Sequence, residues 1–543
     1  MMKFKLKLNR CFLGAVALVT STIGCAVTEQ HSSTIFRYNE SAGISSLDPA
    51  FARNQANMWP VHQLFSTLVE YDSALTIRPL LAKKWIFSAD KKKIIFTLRN
   101  DVYFHNDPCF LNGQGKKLVA QDVVFSLQRL MDKSTASPGA WIFSDKLDPV
   151  TPFSAPDDTT FIIHLIRPDI TVLSSLSMPY CSIIPKEAID YYKSEFRAHP
   201  VGTGPFSFVS WDESEALILH KNNRYFERDA TGLRLPYLNG IKVSFLSSKT
   251  AEFLAFQQQQ LDFVNDPDAS LKDELISKKG VLRAAWMQQF HMQTGPYLNT
   301  EYLGFLLHDS SQPSLLNNVK IRKAINFGID KKKLIFYLRN SMGTAANSGF
   351  SPIGLPSFDS NSVRGYTYNP DSAIQLLHEC GFDANHPMPE ITLTTVPNYA
   401  AMGSFIANEL KSLGIHVKVD VVQKSLLSEQ MSKGEVSFFR GSWIADFPDA
   451  INFFSVFYSK NPSPPNYTHF SNPTFDQLYE KALFTYDDIG RFALYRQMEQ
   501  IIIDQAPVVP LWYDKIWQLF QKNLSGIASN PLNMLELRKV YKK

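Results

Sequence analysis

Hydrophobic and polar residues alternate with two different periods along the carboxy-terminal half of the chain. A strand pattern at 388–396 precedes a helical pattern at 401–413, and a second strand pattern at 415–422 precedes a helical pattern at 425–433. The short apolar run from Val436 to Phe439 then predicts a third strand. Strands that alternate with helices in this way indicate the α/β fold class.

The amino-terminal half carries the same two kinds of pattern. Residues 35–38 predict a short strand, and the apolar face of 58–70 predicts a helix. Residues 94–98 alternate as a strand does, and the apolar positions of 123–131 follow a helical period. The helical segment 319–330 has a continuous apolar face, which is typical of a core helix.

One stretch combines charged and aromatic residues without a helical pattern, and it runs from Phe438 to Phe454 with the sequence FFRGSWIADFPDAINFF. Arg440 and Asp446 lie six residues apart in it, just beyond the predicted strand. Ligands of open α/β sheets bind outside the carboxyl ends of the strands. A guanidinium and a carboxylate there could hold the two charged ends of a zwitterion. The alternative is a structural ion pair between them, or caps on loops.

Size and charge narrow the class of protein. A chain of 543 residues, 45% hydrophobic, should divide into two or three domains. The formal charge of +4 comes from Lys3, Lys5, Lys7 and Arg10, since the remaining 51 basic residues balance 51 acidic ones. The balanced chain gives no electrostatic argument for binding nucleic acid or an anionic membrane surface.

The first residues have the features of an export signal. A basic start leads into the apolar CFLGAVALV, which is short for a membrane span, and then into STIGC. We expect residues 1–24 to be a signal peptide and residues 25–34 a polar tether. Thr22 to Cys25 resembles a bacterial lipobox, although Thr22 stands where Leu is usual, so Cys25 is the expected lipidation site. Ordinary cleavage and an uncleaved anchor are the alternatives.

The sequence shows no sign of a metal site or a catalytic motif. Cys109, Cys181 and Cys380 have no C-x-x-C spacing, which leaves either one disulfide or three buried free thiols. The twelve histidines show no clustered metal spacing. The chain contains no H-E-x-x-H, G-x-S-x-G or phosphate-loop motif, so we expect neither an enzyme nor a cofactor.

Several segments together resemble the family 5 extracellular solute-binding proteins, the peptide-binding components of ABC importers. The resemblance is most specific in LLAKKWIFSADKKKIIFTLRNDVYFHND and LVAQDVVFSLQRL. The residues that match in order and spacing are Ala82, Trp85, Phe96, Leu98, Arg99, Val102, Phe104, His105, Asp122, Val123, Val124, Phe125 and Ser126. Further matching segments lie at 171–189, 201–211, 236–263, 319–330, 369–381, 472–482 and 506–513. The insertion 107–117 is longer than the usual family turn.

The resemblance implies a two-lobed periplasmic-binding-protein-like fold with an additional third domain. The first lobe would comprise 35–55, 200–295 and 512–543. The extra domain would comprise 56–199, and the second lobe 296–511. The lobes of such proteins close on their ligand by a hinge motion.

The resemblance also implies a ligand site. Asp446 occupies the place of the aspartate that takes the α-ammonium of a peptide, and Arg440 coincides with an arginine that helps to hold the ligand carboxylate. The peptide would add as an extra strand between two backbone segments. The residues of those segments are Gly43, Ile44, Ser45, Ser442, Trp443 and Ile444.

The expected function is therefore capture of short peptides outside the cytoplasm and delivery to an ABC permease with its ATPase subunits. The protein would be a monomer, anchored to the membrane through lipid on Cys25. The same scaffold carries murein peptides, oligosaccharides, nickel complexes or haem in other members, and fold alone does not choose among them. A receptor or adhesion role and, more remotely, a peptide hydrolase are further alternatives.

Overall fold

The computed structural model describes residues 34–307 and 314–543. The expected signal peptide 1–24, Cys25 and the tether up to residue 33 lie outside these residues. Among the described residues, no helix has both the length and the apolar character that crossing a membrane requires.

The strands are short apart from two. In chain order they are β1 Ile35–Asn39, β2 Val69–Tyr71, β3 Ile77–Pro79, β4 Ala82–Phe87, β5 Lys93–Leu98, β6 Phe153–Asp157, β7 Thr160–His164, β8 Phe206–Asp212, β9 Ala216–Lys221, β10 Gly240–Ser244, β11 Phe263–Asn265, β12 Phe290–Phe305, β13 Thr344–Ala345, β14 Ile391–Thr395, β15 Val417–Val421, β16 Phe438–Ile444, β17 Val508–Gln521, β18 Leu524–Ser525 and β19 Tyr541–Lys542.

Helices separate most of these strands, as the α/β prediction requires. In chain order they are α1 Gln55–Leu64, α2 Ala120–Met131, α3 Thr171–Ser175, α4 Lys186–Tyr192, α5 Lys249–Gln257, α6 Lys272–Leu275, α7 Ala284–Met287, α8 Val319–Phe327, α9 Lys331–Arg339, α10 Pro370–Glu379, α11 Ala400–Lys411, α12 Lys424–Lys433, α13 Ala450–Phe454, α14 Pro473–Leu483 and α15 Asp488–Gln505.

One large mixed sheet organises the molecule. Its strand order is β15, β14, β16, β12, β17, β11, β1, β10, β9, β8, and β13 pairs with β17 beside this path. Strands β14 and β15 are parallel, as are β1 and β10, whereas β12 is antiparallel to both β16 and β17. A separate antiparallel sheet of four strands, in the order β4, β5, β7, β6, lies within the segment predicted as the extra domain.

The two long strands connect the two halves of the large sheet. β12 has 16 residues and β17 has 14, and they pair from Phe290 with Gln521 to Gly304 with Val508. The pairing is irregular between Pro296 and Thr300. The predicted lobe boundaries at 296 and 512 fall inside these two strands, so the chain crosses between halves on paired strands.

Most predicted elements are confirmed, with shifted ends. β14, α11, β15 and α12 occupy the predicted alternation, and α8 occupies most of the helix predicted over 319–330. The helix predicted over 58–70 is wrong in its second half. Asn54 caps α1 three residues earlier than expected, and the chain becomes extended at Phe65 before entering β2. Hydrophobic residues after Leu64 are buried in an extended segment, which the helical period could not distinguish.

Cys109, Cys181 and Cys380 are free thiols, so the alternative of one disulfide among them is wrong. Only Cys181 is buried, and Cys109 and Cys380 are half-buried.

The glycine-rich segment GTGPF at 202–206 packs against the end of α1. A Cβ atom on Gly202 would lie 2.2 Å from the carbonyl oxygen of Leu64, and one on Gly204 would lie 2.5 Å from that of Gln63. The buried ring of His105 contacts the same segment, since its Nε2 lies 3.0 Å from the carbonyl oxygen of Gly204. Burial lowers the pKa of His105 to about 4. The segment is structural, and any side chain there would displace backbone.

A buried ion cluster joins the carboxy-terminal segment to β2 and to the segment that contains Tyr225 and Glu227. Arg538 donates to the oxygens of Glu70, Tyr225, Glu227 and Glu536. Its Nη2 lies 2.8 Å from Glu70 Oε2, and both side chains are 7% exposed. The three carboxylates raise the pKa of Arg538 although burial alone would lower it. The cluster thus fixes β2 against residues 225–227 and 536–538.

We predict that Arg538→Met destabilises the fold by about 3–5 kcal/mol, because a buried carboxylate loses its charge partner. Urea unfolding followed by circular dichroism measures this effect. Arg197→Met is the matched control, because Arg197 pairs with Glu213 on the surface, where both side chains are about half exposed. The Arg197→Met substitution should lower the free energy of unfolding by less than about 1 kcal/mol. Equal shifts of the unfolding midpoint for both variants would contradict this role of the cluster.

Candidate functional site

Strand β16 places most of the residues predicted for the site. Arg440, Ser442, Trp443 and Ile444 lie within the strand and not beyond it, which corrects the expectation that the whole motif follows a strand. The strand is longer than predicted because it pairs with β12 as far as Ile444 opposite Asn299. Asp446 alone follows the carboxyl end of the strand.

One edge of β16 is open at its carboxyl end. The amide of Ala445 donates to the Leu298 carbonyl at 2.9 Å, and the amide of Leu306 donates to the Ser437 carbonyl at 2.9 Å. Odd-numbered residues of β16 therefore bond to β12, and even-numbered residues direct their amides and carbonyls to the opposite edge. At that edge β14 pairs with β16 only at Phe439. The backbone of Ser442 and Ile444 consequently faces a gap in the sheet.

Asn452 holds Asp446 in place at the end of this strand. Its Nδ2 donates to Asp446 Oδ2 at 3.0 Å, and its Oδ1 accepts from the Asp446 amide at 3.2 Å and from Trp443 Nε1 at 3.0 Å. Asn452 lies on α13, which begins where Asp449 accepts a hydrogen bond from the Ile451 amide. This helix was not predicted, because the stretch 438–454 shows no helical period over its length.

The Asp446 carboxylate is accessible to solvent although much of the protein surrounds it. The residue is exposed, yet desolvation raises its pKa above the ordinary value, and the hydrogen bond from Asn452 opposes this only in part. A carboxylate with both properties is partly desolvated yet accessible, so an opposite charge beside it would be favoured.

The opposite body of the protein lies close to Asp446. Burial raises the pKa of Tyr180 to about 12, while Arg53 lowers it and Asp446 raises it further, so both charges are near this ring. Arg53 precedes Asn57, whose Oδ1 accepts the Ser45 amide at 3.1 Å. Asn57 lies on α1, so the segment Gly43 to Ser45 is held against the helix that follows Arg53 in the chain.

The segment Gly43 to Ser45 contains one backbone amide that is available to a ligand. The Gly43 amide donates to the Glu40 carbonyl at 3.1 Å, and the Ser45 amide donates to Asn57. The Ile44 amide has no partner within residues 34–307 and 314–543. Ile44 has a buried side chain, so it can act at the cleft only through its backbone.

Arg440 pairs with Glu301 rather than with Asp446, so the alternative of an Arg440 and Asp446 ion pair is wrong. Its Nη2 lies 2.8 Å from Glu301 Oε2, and its Nε contacts Oε1. The guanidinium lies 3.8 Å from the centre of the Tyr399 ring. Complete burial raises the pKa of Glu301 to about 7 in spite of Arg440. Arg440 Nη1 has no hydrogen-bond partner among the described residues, which leaves it able to donate to a ligand.

Sequence reasoning missed Glu301, Tyr399 and Asn452. Glu301 is 139 residues from Arg440, and no local pattern connects them. Asn452 lies in the stretch already singled out, and Asp449 followed by apolar residues is a start signal for a short helix that could have indicated it.

No group of three or more His, Cys, Asp or Glu side chains is arranged to hold a metal ion in the part of the chain that the structure describes.

Comparison with known proteins places this geometry in context. The family described as bacterial extracellular solute-binding proteins, family 5 Middle, matches residues 76–465, well over half of the chain. The dipeptide-binding protein DppE of Bacillus subtilis is 25% identical over 96% of this chain and 97% of its own. The heme-binding protein A of Haemophilus influenzae is 26% identical over 86% of this chain and 85% of its own.

Among solved structures, the periplasmic binding protein DppA of Helicobacter pylori, in complex with the peptide STSA, superposes with a TM-score of 0.74. It is 26% identical, and the match covers 94% of this chain and 97% of that protein. The likeness extends over both halves of the large sheet and supports the periplasmic-binding-protein fold. On the match of the family over residues 76–465, this chain belongs to the family 5 bacterial extracellular solute-binding proteins.

Proposed function

We propose that this protein captures short peptides in the cleft beside β16 and delivers them to an ABC permease. The observation that carries the proposal is the open edge of β16 at Ser442 and Ile444, next to the exposed carboxylate of Asp446. A peptide with a free amino terminus presents both complementary parts, a strand-forming backbone and an ammonium group.

Asp446 would bind the α-ammonium of the peptide. Asn452 and the helix α13 hold its carboxylate before any ligand arrives, so little ordering is needed on binding. Burial disfavours the unpaired charge, and an ammonium group would relieve that cost. A charge-assisted hydrogen bond of this kind contributes about 1.5–3 kcal/mol.

The main chain of the peptide would pair with Ser442 and Ile444 on one side and with Ile44 on the other. Gly43 and Ser45 would contribute carbonyl oxygens, because their amides are engaged within the chain. Pairing through the backbone does not depend on the side chains of the ligand, so one site can accept many sequences.

Arg440 would contribute Nη1 to a ligand carboxylate while Glu301 holds the rest of the guanidinium. Trp443 would act as a wall of the cleft, since it is half-buried and its indole nitrogen bonds to Asn452. The pair with Glu301 lowers the net charge at Arg440, so we expect Arg440 to contribute less to affinity than Asp446.

The competing proposal is the same scaffold with a non-peptide or murein-derived ligand. It is favoured by a relative whose name states haem binding and whose identity to this chain is similar to that of the peptide-binding relatives. A primary amine is the group that Asp446 suits best, which peptides supply and haem does not. Mass spectrometry of the ligand that copurifies would identify a different cargo.

The partners and location follow from the role. The proposed partners are the permease and its ATPase subunits, and the proposed anchor is a lipid on Cys25. The family to which the chain belongs is described as extracellular, which agrees with this location. The protein would act as a monomer, outside the cytoplasm, with no cofactor.

Peptides with a free amino terminus should bind, and their N-acetylated copies should bind at least about 10-fold more weakly. Acetylation removes the positive charge that Asp446 would bind. Titration calorimetry with tri- to pentapeptides measures this. The Asp446→Ala substitution should weaken binding of the free peptide and leave the affinity for the acetylated copy nearly unchanged. Equal affinity for the two copies in the unaltered protein would rule out this role of Asp446.

The affinity for a free peptide should fall as the pH is lowered from 7.5 to 4.5 (about three units), because Asp446 attracts an ammonium group only when ionised. Its raised pKa starts the loss at a higher pH than an ordinary aspartate with a pKa of 3.8 would show. Asp446→Asn is the control, since Glu301 titrates in both proteins and the difference between them isolates Asp446. Parallel profiles for the two proteins would count against the assignment.

The Ser442→Ala variant should keep its affinity for peptide. The affinity of the Ser442→Pro variant should fall about 3- to 10-fold, which corresponds to the loss of one neutral hydrogen bond. Proline removes the amide that faces the open edge, and an edge position tolerates it because no hydrogen bond of the sheet is lost. Calorimetry measures both variants, and an unchanged thermal midpoint shows that the fold is kept. If the proline variant binds as the alanine variant does, the peptide does not pair with this edge.

A further inference from the structure

A second carboxylate shares the unusual surroundings of Asp446. Asp266 follows strand β11 and is exposed to solvent, yet desolvation raises its pKa. Among the described residues, Asp266 and Asp446 are the two exposed acids whose pKa burial raises. Asp266 belongs to the opposite half of the large sheet, since its amide donates to the Trp517 carbonyl at 2.9 Å.

The Asp266 carboxylate has no hydrogen-bond or ion-pair partner in residues 34–307 and 314–543. The two nearby cations are engaged with other groups. Lys249 lies 2.9 Å from Glu252 and donates to the Asn265 carbonyl, and Arg339 donates to Asp514 at 2.5 Å. An acid left unpaired in a partly desolvated place has charge available for a ligand.

Asp514 lies on β17, the strand whose Trp517 carbonyl accepts a hydrogen bond from the Asp266 amide, and Asn299 lies on the adjacent strand β12. The Asp514 charge raises the pKa of Asp266, and both acids raise that of Tyr297, which burial brings to about 12. Asn299 Nδ2 donates to Asp514 Oδ2 at 2.9 Å. This bond fixes the orientation of the amide and turns its oxygen away from Asp514.

The Asn299 oxygen is an independent sign of a ligand. The residue is 6% exposed, and its Oδ1 is buried without any hydrogen-bond partner. Buried acceptors are almost always satisfied, so this one has capacity for a donor that enters the cleft. Asp266, Asp514 and Asn299 Oδ1 are all acceptors, and a cation rich in N–H groups matches them.

The cluster adjoins the proposed peptide site. Asp514 and Arg339 both act on the pKa of Glu301, which pairs with Arg440, and on that of Tyr399 beneath Arg440. Asn299 is the sheet partner of Ile444 on β16, and its side chain bonds to Asp514, so the cluster adjoins the end of the open edge. A ligand that occupies the edge of β16 can reach this cluster with a long side chain.

We propose that Asp266, with Asp514 and the side-chain oxygen of Asn299, forms a subsite for a cationic side chain of the bound ligand, the ammonium of lysine or the guanidinium of arginine. This assignment rests on the proposed peptide-binding function and adds a substrate class to it. The protein then favours basic peptides over neutral ones of the same shape, and the preference weakens as salt screens the partly exposed charges.

The test is calorimetric titration of the purified protein with alanine tetrapeptides that carry lysine, arginine or norleucine at each position in turn. Norleucine keeps the shape of lysine and lacks the ammonium. At one position the basic peptides should bind about 10-fold or more tightly than the norleucine peptide, the effect of one charge-assisted bond.

The Asp266→Asn substitution should abolish that preference and leave the affinity for the norleucine peptide unchanged. The unchanged affinity also shows that the variant folds. Asparagine suits this place because Asp266 has a left-handed backbone, with φ of 49°, that asparagine adopts readily. Asp268→Asn is the matched control, since Asp268 lies two residues further on and caps the Ser270 amide at 2.7 Å. The control should keep the preference.

The outcomes separate the two proposals. If basic and norleucine peptides bind equally at every position, or if the preference persists in Asp266→Asn, the cationic subsite is refuted while peptide binding stands. If none of the peptides binds, the proposed function fails and the subsite fails with it.

Discussion

The antiparallel pairing of β12 with β17 is the constraint on which the rest of the structure depends. These two strands carry the backbone hydrogen bonds of both halves of the large sheet, with β16 on one side and β11 on the other. Glu301, which holds the guanidinium of Arg440, and Asp514, whose charge acts on Asp266, lie on this same pair of strands. The irregular pairing after Pro296 is where the sheet passes from one half to the other. Any relative movement of the halves must bend these strands, so the shape of the cleft is coupled to their local geometry.

The polar groups of the proposed site are held by other side chains of the protein. Asn452 fixes Asp446, Glu301 fixes Arg440, and Asn57 fixes Ser45. Each of these partners is buried, so its own position is set by packing and does not need the ligand. The buried cluster around Arg538 does the same at a larger scale, because it fixes β2 against the carboxy-terminal segment. The site is therefore arranged in advance, with most of the ordering cost met when the chain folds.

The sequence predicted the elements with a clear period and the acid at the end of β16. β14, α11, β15 and α12 follow local alternation, which decides whether a segment is helix or strand. The prediction of a helix over 58–70 was wrong after Leu64, because buried residues in an extended segment are as apolar as the buried face of a helix. The partner of Arg440 and the surroundings of Asp266 were out of reach for a different reason. Both depend on which strands become neighbours in the sheet, and Glu301 and Asp514 are adjacent to the site only through that order.

The open edge of β16 has a consequence for the solubility of the protein. Unpaired strand edges are places where identical chains can join and aggregate, and proteins usually blunt them with charges, proline or a covering segment. In the proposed site the edge at Ser442 and Ile444 lies in a cleft, with the segment Gly43 to Ser45 and Tyr180 on the opposite side. A recessed edge is more accessible to a single extended chain than to the edge of a second folded sheet. The protein can therefore keep a reactive edge exposed to small ligands while its recessed position protects it from other copies of itself.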